Sequence, residues 1–236
     1  MIDINAIITN TLGALQTTPA TVQATPICLP LSEEAICRLL ATAYQSEVSG
    51  KGGSYLETGM ATNAIRTSAK WLKGETGLQW LLYSGGSGLG KTTLANAMRA
   101  MIIELRRQLN DAEPKYWAST EEEKAVQREF TRAERAAVVP YKRTAAEIFS
   151  SYQQRNWEEY RKAGTERFVI IDDLGKEPAR LYSSETPLAE IICKRYDYRL
   201  PTLITTNLPV KMLAKQYGQH VADRISELSM PITFEE

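Results

Sequence analysis

The chain is poor in the residues that build metal and redox centres. Its 236 residues include one histidine, His220, and three cysteines, Cys28, Cys37 and Cys193, with no C-x-x-C pair. That set argues against a structural zinc site and a disulfide framework, and reads as the reduced thiols of a cytoplasmic protein. Net charge is also lacking, because 28 basic side chains balance 28 acidic ones. Without a general basic coat, any contact with nucleic acid must be local. No run of about 18 apolar residues occurs, so no transmembrane helix is expected. Asp3 and Asn5 stand where a secretory signal would carry basic residues. A hydrophobic content of 43% supports one substantial core, and the length suits one full domain with an appendage.

What the chain does have is a glycine loop. Gly85, Gly86, Ser87, Gly88, Leu89, Gly90, Lys91 and Thr92 match the pattern G-x-x-x-x-G-K followed by Ser or Thr. An apolar strand candidate, 78–83, precedes it, and a helical pattern opening at Thr93 follows. Strand, loop and helix are the context this motif requires. The glycines let backbone N–H groups turn inward around phosphate oxygens, and the helix N-terminus adds partial positive charge. Lys91 would reach the β- and γ-phosphates and Thr92 would place its hydroxyl on Mg²⁺, so the expected ligand is ATP with Mg²⁺.

The remaining pattern alternates strands and helices. Helices are expected from Ser32, over 60–73, from Lys91 to about Asn110, over 144–163 and over 189–198. Further strands are expected to begin at Val138 and to span 168–171, 202–206 and 231–234. This order implies a parallel α/β sheet covered by helices on both faces. Residues 1–58 read as an N-terminal helical and linker region, and 59–236 as the main domain. Ile4, Ile7, Ile8, Leu12 and Leu15 can line one face of a short helix, either to anchor a partner or to pack on the core. The charged stretch 111–137 reads as an exposed helical insertion.

Other residues extend the candidate site. Asp172 and Asp173 end an apolar strand, the shape of a Walker B motif. Asp172 is expected to hold Mg²⁺ and Asp173 to polarise an attacking water. Asn207 closes the strand 202–206 and serves either to orient that water or to form a turn. Arg224 lies in a late helical pattern, as a γ-phosphate partner or as a surface ion pair. Aromatic and basic residues interleave from Tyr152 through Trp157 to Lys162, a pattern suited either to single-stranded DNA or to core plus solvated face.

Taken together, GGSGLGKTTLA, VVPYKRTAAEIFSSY, FVIIDDLGKE, IICKRYDYRLPTLITTNL and VADRISEL resemble the AAA+ ATPases of the DnaC-like helicase loader group. The resemblance spans roughly residues 60–236, and IstB-like transposition helper ATPases share nearly all of it. It implies an AAA+ αβα sandwich with a five-stranded parallel sheet in the order 5-1-4-3-2 and no evident lid domain. It places Asn207 at sensor 1 and Arg224 at an arginine finger acting on a neighbouring subunit's ATP, and makes Glu177 an auxiliary acid. The implied activity is ATP hydrolysis at subunit interfaces of a homo-oligomer, controlling the loading of a DnaB-type ring helicase on single-stranded DNA. A transposition helper and a nucleotide-switched DNA-binding module are the alternatives.

Overall fold

The computed structural model describes residues 25–53, 58–111, 120–177 and 187–235. The apolar set Ile4, Ile7, Ile8, Leu12 and Leu15 lies outside the described residues, as does 112–119 of the charged insertion. In chain order the elements are α1 (Glu33–Gly50), α2 (Gly59–Lys73), β1 (Trp80–Gly85), α3 (Lys91–Asp111), α4 (Glu121–Ala136), β2 (Tyr141–Thr144), α5 (Ala145–Gln153), α6 (Trp157–Thr165), β3 (Val169–Leu174), α7 (Pro187–Asp197), β4 (Thr202–Thr206), α8 (Val210–Tyr217), α9 (Gln219–Leu228) and β5 (Ser229–Phe234). All strand pairs are parallel, in the order β2-β3-β4-β1-β5, which is 5-1-4-3-2 read from the other edge.

Alternation along the strands divides the interior into two layers. Leu81, Tyr83, Ile170, Leu203, Ile232 and Phe234 face α1, α2 and α3. Trp80, Leu82, Val169, Ile171 and Ile204 face α5 to α9. Both faces of the central strands are therefore apolar, as parallel strands covered by helices require. Helix starts follow local chemistry. Ser32, Thr58 and Thr144 each accept a backbone N–H of the first turn, and Thr120 with Glu123 forms a capping box.

Strand ends shift by two or three residues, as at Trp80–Gly85 and Ser229–Phe234, and two expected elements change more than that. The second strand is Tyr141–Thr144, not a run beginning at Val138. Pro140 cannot donate to a ladder, and the residues that do pair are polar, so hydrophobic pattern misplaces the strand. The helix expected over 144–163 is two helices. Arg155 takes a positive φ of 57°, and Asn156 caps α6 by accepting the Glu159 N–H. Within the charged insertion, α4 is largely exposed but is tied to α3 where Arg106 reaches Glu134 at 2.8 Å, and its last residue, Ala136, is buried. The described residues before α1, 25–32, carry no helix or strand, yet Ile27 and Leu29 are buried beside Leu72, and the Leu29 N–H bonds the Leu72 carbonyl at 2.8 Å.

One buried cation fastens the layer of α6 and α7 to the sheet. Arg195 is fully buried and bonds only neutral acceptors: the Thr202 hydroxyl and the carbonyls of Ala163, Glu166 and Pro201. Burial pushes its pKa down to about 9, so the guanidinium stays charged at neutral pH. Its planar fork matches four separated acceptors at once, which an ammonium cannot do. Arg195→Met, and Arg195→Lys to a lesser degree, are expected to lose about 3 kcal/mol of stability. Urea unfolding with an unchanged m value is the check.

Candidate nucleotide-binding site

The loop after β1 begins under constraint. Gly85 has φ 132°, and a Cβ there would stand 2.0 Å from the Phe234 carbonyl oxygen of neighbouring β5. Only glycine lets the chain leave the sheet at this point. The loop ends at Gly90, φ 92°, where a Cβ would meet the Tyr44 hydroxyl at 2.5 Å. Between them Gly86, Ser87 and Gly88 are exposed and Leu89 is half-buried. Lys91 opens α3, so the loop leads directly onto a helix N-terminus. Its ammonium bends back into the loop and donates to the carbonyls of Gly85, at 2.8 Å, and Gly86. Burial pushes the Lys91 pKa down, opposed by the charge of Asp173.

The two carboxylates have different surroundings because β3 changes course between them. Asp172 continues the alternation of Ile170 and points toward α3. It is buried, with the Thr92 hydroxyl donating to Oδ1 at 2.9 Å and the Thr205 hydroxyl at 2.6 Å. The Lys142 ammonium stands 2.9 Å from its Oδ2. Burial pushes the Asp172 pKa up, but the Thr205 bond, the bond and charge of Lys142 and the Thr92 bond outweigh it, leaving the carboxyl below its ordinary value. Asp173 sits in an irregularity of the β3–β4 ladder between Ile171 and Leu174, at φ 58°, and its N–H donates to Thr205 Oγ1 at 2.8 Å. Such an irregularity re-aims a side chain at the end of a strand. Asp173 is partly exposed and pairs with Lys176 at 2.8 Å. The Thr205 hydroxyl thus joins both acidic residues.

The other expected residues spread around this centre. Asn207 follows Thr206, which pairs with Ser84 in the ladder just before the loop. Glu177 accepts the Gly175 N–H at 3.1 Å, Gln216 Nε2 at 3.0 Å and the Tyr217 hydroxyl, fastening the loop after β3 to α8. Arg224 lies on α9, in the opposite layer from α3. It stacks over the Tyr196 ring at 4.9 Å and reaches Asp197 at 3.8 Å, so its neighbours in the fold are not the loop residues. In the aromatic and basic stretch, Tyr160 is buried, Trp157 is exposed, and Lys162 is paired with Glu158 and Glu159.

Sequence reading missed three contacts to the site. Lys142 comes from the misplaced strand. Tyr44 and Lys51 come from α1 and the residue that caps it, in the segment expected as appendage and linker. The Lys51 ammonium donates to Thr93 Oγ1 at 3.0 Å. The basic pair Lys142 and Arg143 in VVPYKRT, next in the sheet to the acidic strand, is the available signal for Lys142.

These residues fit a triphosphate with a divalent cation. The loop presents a helix N-terminus and a lysine. Thr92 and Asp172 already meet, and the buried carboxylate carries a cationic partner. Among the described residues no cluster of three or more His, Cys, Asp or Glu side chains could hold a metal ion. A cation at Thr92 and Asp172 would draw its remaining ligands from phosphate and water, which suits Mg²⁺.

A glycine loop after β1, paired acids near the end of β3 and a parallel sheet in this order are the arrangement of the AAA+ fold. No family model matches the chain, and no curated protein matches it. Among solved structures it is similar to the crystal structure of the DnaC helicase loader, with TM-score 0.53 and 19% identity over 81% of this chain and 98% of that one. It is also similar to the crystal structure of DnaI, with TM-score 0.52 and 19% identity over 89% of this chain and 94% of that one. Among the described residues, no helix is long and apolar enough to cross a membrane.

Two outcomes test the site's construction. Gly85→Ala is expected to lose at least about 3 kcal/mol. Gly88→Ala, where a Cβ meets nothing within 4 Å, should lose only the left-handed backbone strain of about 1–2 kcal/mol. Thermal unfolding compares them. Because the Asp172 pKa is depressed by folding, its contribution is full above the ordinary carboxylate value near 4 and is lost as pH falls through the folded value. Asp172→Asn should therefore flatten the acid limb of stability below about pH 4, read by urea unfolding across pH.

Proposed function

We propose that this protein is an ATP-hydrolysing switch that loads a ring helicase of the DnaB type onto single-stranded DNA during replication initiation. The observation that carries the hydrolytic part is the buried junction of Thr92, Asp172 and Thr205 behind the glycine loop. The helicase part rests on the likeness to the DnaC helicase loader and DnaI, which extends over nearly all of both those chains.

In this reading Lys91 leaves the carbonyls of Gly85 and Gly86 and holds phosphate oxygens, with the N–H groups of residues 86–93 around them. Thr92 and Asp172 would hold Mg²⁺, which would supply positive charge against the phosphates. Asp173 takes the proton of the attacking water, and Asn207 orients that water. Glu177 holds the loop after β3 in register with α8 through Tyr217, a supporting role beside the acid role that the resemblance implies. Arg224, remote from its own loop in the fold, serves the ATP of a neighbouring protomer. The active form is then a homo-oligomer on DNA, with ATP between protomers. Trp157, exposed on α6, is a stacking surface for a base.

Mixing two inactive variants tests the shared site. Lys91→Ala and Arg224→Ala are each expected to lose ATPase activity, about 10³-fold for the arginine. Their mixture, with single-stranded DNA and a ring helicase present, should recover part of it. No recovery where the wild type turns over removes the model. Co-purification with a transposase instead of a helicase would favour the transposition helper.

A further inference from the structure

The partners of Asp172 include one that binding of a metal does not need. Lys142 lies on β2, the edge strand beside β3, and the register pairs Lys142 with Ile170 and Thr144 with Asp172. Lys142 and Asp172 therefore point to the same face of the sheet, the face covered by α3. The Lys142 ammonium is shared between Asp172 Oδ2, at 2.9 Å, and Asn96 Oδ1 on α3, at 2.5 Å. Its side chain is 21% exposed while that of Asp172 is 3% exposed, so the pair is shielded from water. With Thr92 and Thr205 on Oδ1, both carboxylate oxygens are engaged.

An ammonium in this place supplies the charge that a cation on Asp172 would supply. Two cations cannot share one carboxylate in a shielded site without strong repulsion. The lysine stem is flexible, and Asn96 offers the head a second anchor onto which to withdraw. We propose that Lys142 is a built-in competitor for the divalent cation. It neutralises Asp172 until nucleotide brings the metal, and must retire onto Asn96 for the metal to be held. The affinity for the cation is then set by the edge strand β2 as well as by the residues that ligate it. This inference rests on the nucleotide-binding reading above.

The test counts bound Mn²⁺ by electron paramagnetic resonance, titrating the full chain in saturating ADP, with fluorescent ADP measured separately in chelator. Lys142→Met removes the charge and keeps the stem. It is expected to bind Mn²⁺ about tenfold more tightly than wild type, equivalent to about 1.4 kcal/mol. Its unfolding temperature should be lower than wild type without metal and should rise further on adding Mn²⁺ with ADP. Lys142→Arg should stay near wild type. Asn96→Ala, which removes the second anchor, should bind Mn²⁺ more weakly and provides a test of opposite sign should Lys142→Met not fold. Equal or weaker Mn²⁺ affinity in folded Lys142→Met, or tighter affinity in Asn96→Ala, overturns the inference. If wild type binds ADP and Mn²⁺ but the variants show no such changes, the inference alone fails. If wild type binds neither, the nucleotide reading fails and takes the inference with it.

Discussion

A buried carboxylate must be compensated or it will not stay ionised, and the site is organised around how Asp172 meets that demand. Its partners come from three directions. Thr92 reaches it from α3, Thr205 from β4 and Lys142 from β2. These contacts tie the glycine loop's helix to three adjacent strands at their C-terminal ends. In a parallel sheet those ends lie together, so residues far apart in sequence converge with little loop between them. The same Thr205 hydroxyl that donates to Asp172 accepts the N–H of Asp173 and so helps to hold the bend in β3. One hydroxyl thus sets the positions of both acids.

The opposite layer is governed by a different buried charge. Arg195 has no carboxylate partner, and its donors go to a hydroxyl and three backbone carbonyls. That pattern is costly to bury and gives no freedom to move, which suits a structural anchor. Asp172 is different in kind. Its partners are two hydroxyls and one flexible ammonium, and of these Thr205 alone also holds a backbone group, the Asp173 N–H. The fold therefore keeps its rigid charge among α6, α7 and β4, away from the loop, and its exchangeable charge beside it.

The parts most legible in the sequence are those where local chemistry and tertiary context agree. The apolar runs ending in Tyr83 and Ile171 mark central strands, and Thr202 to Thr206 is a strand over its whole expected length. The glycine loop is legible because its spacing encodes its shape. The edge strand is harder, since Tyr141 to Thr144 is half-buried and polar while its flanking valines form no strand. Losing that strand by a few residues hides Lys142, whose meaning depends on being beside Ile170 and near Asp172. The break between α5 and α6 is marked only by Asn156, a capping residue within an otherwise helical pattern. Tyr44 and Lys51 approach the loop through packing of α1 on α3, which no local pattern expresses.

The charge arrangement around the loop has an order built into it. Each acid has its own lysine: Asp172 has Lys142 and Asp173 has Lys176. The Asp173 pair is open to water, with Lys176 about half exposed. Exposed pairs of this kind are worth about 0–1 kcal/mol, so it exchanges readily. The Asp172 pair is shielded, and removing its lysine without replacement leaves an uncompensated buried charge, a loss of roughly 3–5 kcal/mol. The two acids are therefore freed by different events. Asp173 can turn toward a water whenever Lys176 moves in solvent. Asp172 gives up Lys142 at that cost unless another cation takes its place. A site built this way resists rearrangement by a bare anion, because the anion offers Asp172 nothing in exchange. Rearranging the partners of Asp172 therefore calls for positive charge, whereas Asp173 needs no such exchange to change partner.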